Sequence, residues 1–216
     1  MRTLTRSLPA LAALALAACA SSSPTPAPSS TPASDGAHAL ATPLADGRTA
    51  EGGYIDGFAY AEKPGDVTLG RIAVGSGVAR ATGEIDPRRG STWGGIGLTT
   101  SVARGSRTVD VSASQSLVVA LAANGTGTLR VRLVGTNTAT RDAGCYPVAQ
   151  VRVTSELRDY ALPVSSFAPE AYCGANAPGG VAAAAALAAV EVADASVTPG
   201  RKRQVDFTVG AIRVAP

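Results

Sequence analysis

The sequence predicts an all-β fold, a two-sheet β-sandwich, and three observations carry that reading. From about residue 49 onward, short apolar runs alternate with clusters of Gly, Pro, Asn and Asp, the residues that favour turns. No amphipathic helical period lies between most of those runs, which argues against crossover helices and a parallel sheet. Several runs also alternate strictly, as in Leu129-Arg130-Val131-Arg132-Leu133, the period of a strand with one face buried. The 216 residues are 45% hydrophobic but only 4% aromatic, and Ala and Gly carry much of the apolar share, so the core has few large anchors. A single histidine, His38, argues against His-based catalysis and His-ligated metal.

The chain opens on a different pattern. Arg2 and Arg6 precede an apolar stretch, Leu8–Leu16, which is shorter than the ~20 residues a membrane-spanning helix needs. Leu16-Ala17-Ala18-Cys19 follows and resembles the lipobox of bacterial lipoproteins. That resemblance implies that residues 1–18 are a signal peptide and that Cys19 becomes the first residue, carrying acyl chains such as palmitate that anchor it to a membrane. Ala20, where an Asp would mark retention at the inner membrane, implies the outer membrane of a Gram-negative cell envelope. An ordinary secretory signal ending by chance in a Cys is the alternative. Residues 19–48 then read as a Ser/Pro/Thr/Ala tether, stiffened by Pro24, Pro26, Pro28 and Pro32 and including His38 as a solvated residue.

Residues 49–216 read as the sandwich. Strands are expected at Tyr54–Tyr60, Val67–Val74, Val78–Ile85, Trp93–Thr100, Leu117–Ala122, Thr128–Gly135, Val148–Thr154, Arg158–Pro163, Leu187–Val192 and Val205–Val214. Asn124-Gly125-Thr126-Gly127, between two apolar runs, reads as a hairpin turn. The alanine run near 181–186 has the highest helix propensity in the chain, and there a short helix competes with an extended strand. Alternation puts Leu129, Val131, Leu133, Ala149, Val151, Val153, Ile96 and Leu98 inside. It puts Arg130, Arg132, Gln150, Arg152, Trp93 and the glycines Gly95 and Gly97 outside, either as a ligand surface or as a plain solvated face.

The order of these pieces resembles the galactose-binding-like jelly-roll domains, closest to carbohydrate-binding modules related to family 11. The matching segments are Ile55-Asp56-Gly57-Phe58, Trp93–Leu98, Val109–Ser112, Leu117–Ala122, Leu129–Leu133, Val151–Thr154 and Tyr160 to Ser166-Phe167, which span most of residues 54–214. The resemblance implies a jelly roll that binds a poly- or oligosaccharide without catalysis. The chain departs from the pattern at Gly57 and Gly210-Ala211, where carboxylates of a structural Ca²⁺ site are common, so no metal or cofactor is assigned.

Cys145 and Cys173 remain once Cys19 is set aside. An even pair in an exported chain predicts a disulfide, and the alternative of a reactive thiol finds no histidine base in the domain. The bond would bring Tyr146 and Tyr172 to one end of the sandwich. The candidate ligand residues are therefore Trp93, Arg130, Arg132, Gln150 and Arg152, with Tyr146 and Tyr172. Aromatic rings pack on the C–H faces of sugars while the polar side chains bond their hydroxyls, and the arginines favour an acidic glycan. The other readings are a protein-interaction or structural lipoprotein of the envelope and, with less support, a glycan-processing enzyme. Glu84 and Asp86, beside Pro87-Arg88-Arg89-Gly90, read as a charge-paired turn rather than a catalytic pair. Of 19 basic residues against 16 acidic, two leave with the signal, so the net charge falls from +3 to +1. Nucleic acid is then not an expected partner, and Arg201-Lys202-Arg203 reads as a solvated loop tip.

Overall fold

A computed structural model describes residues 36–216 except 76, 106, 125–126, 138–139 and 141–143. Eleven strands are formed among the described residues: β1 (His38–Ala41), β2 (Ile55–Ala61), β3 (Val67–Gly75), β4 (Val78–Ile85), β5 (Gly94–Ser101), β6 (Ser116–Asn124), β7 (Thr128–Gly135), β8 (Val148–Arg152), β9 (Arg158–Pro163), β10 (Leu187–Asp194) and β11 (Arg203–Ala215). They make two antiparallel sheets. One runs β3-β4-β11-β6-β9 with β1 also paired to β11, and the other runs β2-β5-β10-β7-β8. The expected two-sheet sandwich is the fold.

Each sheet turns one face inward. Ile96, Leu98, Leu129, Val131, Leu133, Val190 and Val192 from the five-stranded sheet meet Leu117, Val119, Leu121, Val205, Phe207, Val209 and Ile212 from the six-stranded one. Aliphatic side chains with defined rotamers do most of this filling, which is how a chain so poor in aromatics reaches a packed interior. One ion pair joins the ends of two strands from opposite sheets. Asp194, at the end of β10, is fully buried and takes both terminal nitrogens of Arg203, the first residue of β11. Arg203 Nε also donates to the Ser196 carbonyl at 2.7 Å. The arginine expected in a solvated loop tip therefore ties one sheet to the other. Its neighbour Lys202 pairs with Glu84 at 2.8 Å, and Asp86 pairs with Arg88 as the turn reading required.

Two expectations change. Residues 38–48, expected in the tether, belong to the folded unit: β1 pairs with the end of β11, and Pro43 bridges Thr49. The reason is local, because Leu40 and Ala41 supply two buried apolar residues that a Ser/Pro tether lacks. Second, β6 and β7 do not form a hairpin. β6 pairs with β11 and β9, and β7 pairs with β10 and β8, so the link around residue 125 passes from one sheet to the other. Apolar alternation on both sides of an Asn-Gly link suits a sheet-to-sheet corner as well as a hairpin. The alanine run takes the short helix that the sequence allowed before Leu187. A helix, α1 (Gly180–Ala184), packs against β7, and the chain becomes strand at Leu187, where Val109 and Gly135 supply partners. Residues 1–35, with the expected signal, Cys19 and most of the tether, lie outside the described residues. Among the described residues, no helix is long and apolar enough to cross a membrane.

Candidate functional site

The outer face of the five-stranded sheet carries the site, and its register decides which side chains meet there. One row across the strands reads Phe58, Gly97, Ala193, Arg130, Gln150. The next reads Asp56, Thr99, Glu191, Arg132, Val148. In the first row the middle strands carry only Gly97 and Ala193, and this makes a trough between an aromatic side on β2 and a charged side on β7.

Glycine builds the aromatic side. Gly97 stands opposite Phe58 and Gly95 opposite Tyr60. A Cβ on Gly97 would lie 2.2 Å from the Phe58 ring, and one on Gly95 would lie 2.9 Å from the Tyr60 hydroxyl. Both rings therefore lie over β5 in the space that missing side chains leave, an arrangement in which an aromatic covers a cross-strand glycine. Phe58 and Tyr60 stack at 6.1 Å between centroids, and Trp93 follows Tyr60 at 6.3 Å, tilted by 31°. Trp93 itself is 54% exposed and belongs to the surface, not the core.

The turn before Trp93 is fixed by carboxylates. Thr92 donates to Glu62 from both its backbone N–H and its hydroxyl at 2.9 Å. These hydrogen bonds, with Lys63 adding its own, hold the Glu62 carboxyl below its ordinary range. Buried Asp66 accepts from the backbone of Arg89 and Ser91 at 3.0 and 3.1 Å. Burial raises the Asp66 carboxyl, but the bonds from Ser91 and Arg89 outweigh that, so it too lies below its ordinary range.

The charged side is a network around Glu170. Arg130 Nη2 donates to Glu170 Oε2 at 2.6 Å, and Nη1 reaches across the trough to the Tyr60 hydroxyl at 3.2 Å. Tyr172 donates its hydroxyl to the same Glu170 oxygen at 3.0 Å. Arg132 donates to Glu191 at 3.5 Å and to the Gly144 carbonyl at 3.3 Å, with Glu170 at 3.7 Å. Burial raises the Tyr60 phenol above its ordinary value against the pull of Arg130 and Arg132. Partial desolvation of its hydroxyl and the bond to Glu170 do the same to Tyr172. Both phenols stay protonated and can donate.

Tyr60, Trp93, Arg130, Arg132, Gly144, Glu170 and Tyr172 line a groove of about 560 Å³ that also touches Gly94 and Ala195. Of the residues expected from sequence, the structure brings Trp93, Arg130, Arg132 and Tyr172 to it. Gln150 and Arg152 are exposed on the same sheet but do not line the groove. Tyr146 is turned away: it is buried and borders a separate cavity beside α1, with Ala183 and Pro178. Tyr146 and Tyr172 therefore serve different cavities although their neighbours are bonded, because Cys145 and Cys173 form a disulfide with Cα atoms 5.5 Å apart. Sequence reasoning missed Tyr60, Glu170 and Glu191. The i, i+2 spacing of Phe58 and Tyr60 in β2 is a signal that could have found Tyr60, but Glu191 meets Arg132 only through register. Among the described residues, no group of three or more His, Cys, Asp or Glu could hold a metal ion.

No protein-family model matches the chain, and no curated protein does. Solved structures do match. The family 11 carbohydrate-binding module of the cellulosomal cellulase Lic26A-Cel5E of Clostridium thermocellum is similar at a TM-score of 0.52 and 14% identity, covering 85% of this chain and 96% of that one. A family 11 module from the same organism, in complex with a β-1,3-1,4-mixed-linked tetrasaccharide, is similar at 0.50 and 13% identity, covering 84% and 97%. The fold is thus the jelly roll of those modules.

Proposed function

We propose that the domain is a non-catalytic carbohydrate-binding module that takes a neutral oligosaccharide along the trough. The observation that carries this reading is the pairing of an exposed aromatic edge with a charge-balanced polar wall. Trp93 and Tyr172 stand exposed at the groove, and Arg130 and Arg132 face Glu170 and Glu191 in ion pairs. Sugar rings need a flat apolar platform and a mixed set of donors and acceptors. Both are present, since the phenols and guanidiniums donate while Glu170 Oε1 makes no bond among the described residues.

The acidic glycan suggested by the arginine count loses its basis, because the two groove arginines are already matched by carboxylates. A glycosidase would need one carboxyl to deliver a proton and a second to attack or to activate water. Glu170 and Glu191 are instead both engaged with guanidiniums. The likeness in fold to a module complexed with a mixed-linked tetrasaccharide supports the choice of probe.

Calorimetric titration of the protein with that tetrasaccharide, and with an oligogalacturonide as the acidic comparison, tests the reading. Binding of the neutral sugar is expected, with weaker or no binding of the acidic one. The reverse order, or no binding of either at millimolar sugar, would overturn it. The proposal includes attachment to the outer membrane through Cys19, supported by the sequence at residues 16–19. Palmitate labelling that persists in Cys19→Ala would refute that part.

A further inference from the structure

The groove wall facing Trp93 combines Arg130 and Arg132 of β7 with two segments outside the sheets, and a covalent bond joins those two segments. One carries Gly144, whose carbonyl accepts from Arg132, followed by Cys145. The other carries Glu170, Tyr172 and Cys173. Among the described residues, the backbone hydrogen bonds of residues 170–178 stay inside the segment: Cys173 N–H to the Glu170 carbonyl at 2.9 Å, and Ala177 N–H to the Gly174 carbonyl at 3.4 Å. Pairing with the rest of the fold resumes only outside it, at Ala168 with Val148 and at Gly180 with Phe167. A segment with this bonding has little of its own to hold a side chain in place. Among the described residues, its side-chain ties to the rest of the fold are the ion pairs of Glu170 with Arg130 and Arg132 and the disulfide from Cys173 to Cys145.

We infer that the Cys145–Cys173 disulfide is a positioning element for the groove, so that oligosaccharide binding is sensitive to redox state. This rests on the oligosaccharide reading above. Cys173 directly follows Tyr172, and Cys145 directly follows Gly144, so the bond sets the separation of two wall residues that lie 28 positions apart in sequence. The sheet that forms the floor and the aromatic edge of the groove is paired independently of it. Reduction by a dithiol breaks the S–S bond and gives two thiols, with the dithiol oxidised to its cyclic disulfide. The wall then loses its covalent tie while the floor keeps its hydrogen bonds. Loss of preorganisation weakens binding without removing a contact group.

The test uses the full chain, oxidised, reduced with dithiothreitol, and reoxidised, with a Cys145→Ser/Cys173→Ser double variant beside it. Two quantities are read in each state: affinity for the mixed-linked tetrasaccharide, and hydrogen exchange by peptide. Reduction is expected to lower the affinity about tenfold and to speed exchange in residues 169–179, while β5, β7 and β10 keep their protection. Reoxidation restores both, and the double variant matches the reduced protein. Unchanged affinity after complete reduction overturns the inference. So does loss of protection throughout the sheets, which would make the bond a support of the whole fold. If the oxidised protein binds no sugar, the oligosaccharide reading fails, and the exchange data alone then show whether the disulfide holds this wall.

Discussion

Trp93 separates a binding surface from a packed core most directly. It is more than half exposed, its turn is held by Thr92 and Glu62 rather than by the indole, and it borders the groove. Trp93→Ala is therefore expected to weaken tetrasaccharide binding by about tenfold or more, on the order of 1–2 kcal/mol. The thermal midpoint should stay within a degree or two, since a surface truncation away from the core changes stability by about 0.5 kcal/mol or less. Titration and a melting curve on the same sample check both halves. A fall of many degrees would place the indole in the core after all. Arg130 and Arg132 stand in contrast. Each is only partly exposed and is tied to carboxylates, so either truncation removes an ion pair along with any contact to sugar. Their effects on binding and on stability are mixed, whereas those of Trp93 are separable.

At the scale of elements, β5 matters for what it lacks. Gly95 and Gly97 clear the space in which Tyr60 and Phe58 lie. A methyl at Gly97 collides with the Phe58 ring and forces it off the sheet, so Gly97→Ala is expected to cost about 1–3 kcal/mol. It should also disorder the aromatic edge, and urea unfolding with the Trp93 emission as probe would register both. A variant as stable as the parent, with its emission unchanged, would show that the ring does not depend on that gap.

The same strand shows what the sequence could and could not reveal. Alternation along Gly94–Ser101 and Thr128–Gly135 separates inside from outside correctly, and it placed Trp93, Arg130 and Arg132 on the outer side. Alternation says nothing about which strand lies beside which. That is why Asn124–Gly127 looked like a hairpin when it links two sheets. It is also why Arg130 and Arg132 looked like free cations when β10 and the 170–173 turn bring acids to them. β1 escaped notice because a four-residue strand beside a proline-rich segment has too short a pattern to read.

For the whole molecule, the groups with shifted ionisation set a pH window. The phenols of Tyr60 and Tyr172 hold their protons above the ordinary 10.0, through burial at Tyr60 and through partial desolvation and the bond to Glu170 at Tyr172. The native state thus binds those protons more tightly than the unfolded chain. The associated stability is fully present below pH 10 and is lost as pH rises beyond it. The carboxyls of Asp66 and Asp206 lie below the ordinary 3.8. For Asp206 the hydrogen bonds from Arg80 are the main cause, and for Asp66 those from Ser91 and Arg89 overcome its burial. Their contribution is present above that value and is lost as pH falls below it. Thermal midpoints should therefore form a plateau from about pH 5 to 9 and decline on both sides. A midpoint that kept rising past pH 10 would contradict the placement of the two tyrosines.

The longest strand also fixes a direction for the molecule. Gly36 lies against Pro216, and β1 pairs with the last residues of β11, so the described chain begins and finishes at one pole. The other extremity of β11 is Arg203, bound to Asp194 next to Ala195 of the groove. Thirteen residues of strand, about 40 Å at the usual rise, separate the two. β11 works as a spacer: it sets Gly36 and Pro216 at one end of its sheet and holds the Arg203–Asp194 pair, next to Ala195 of the groove, at the other.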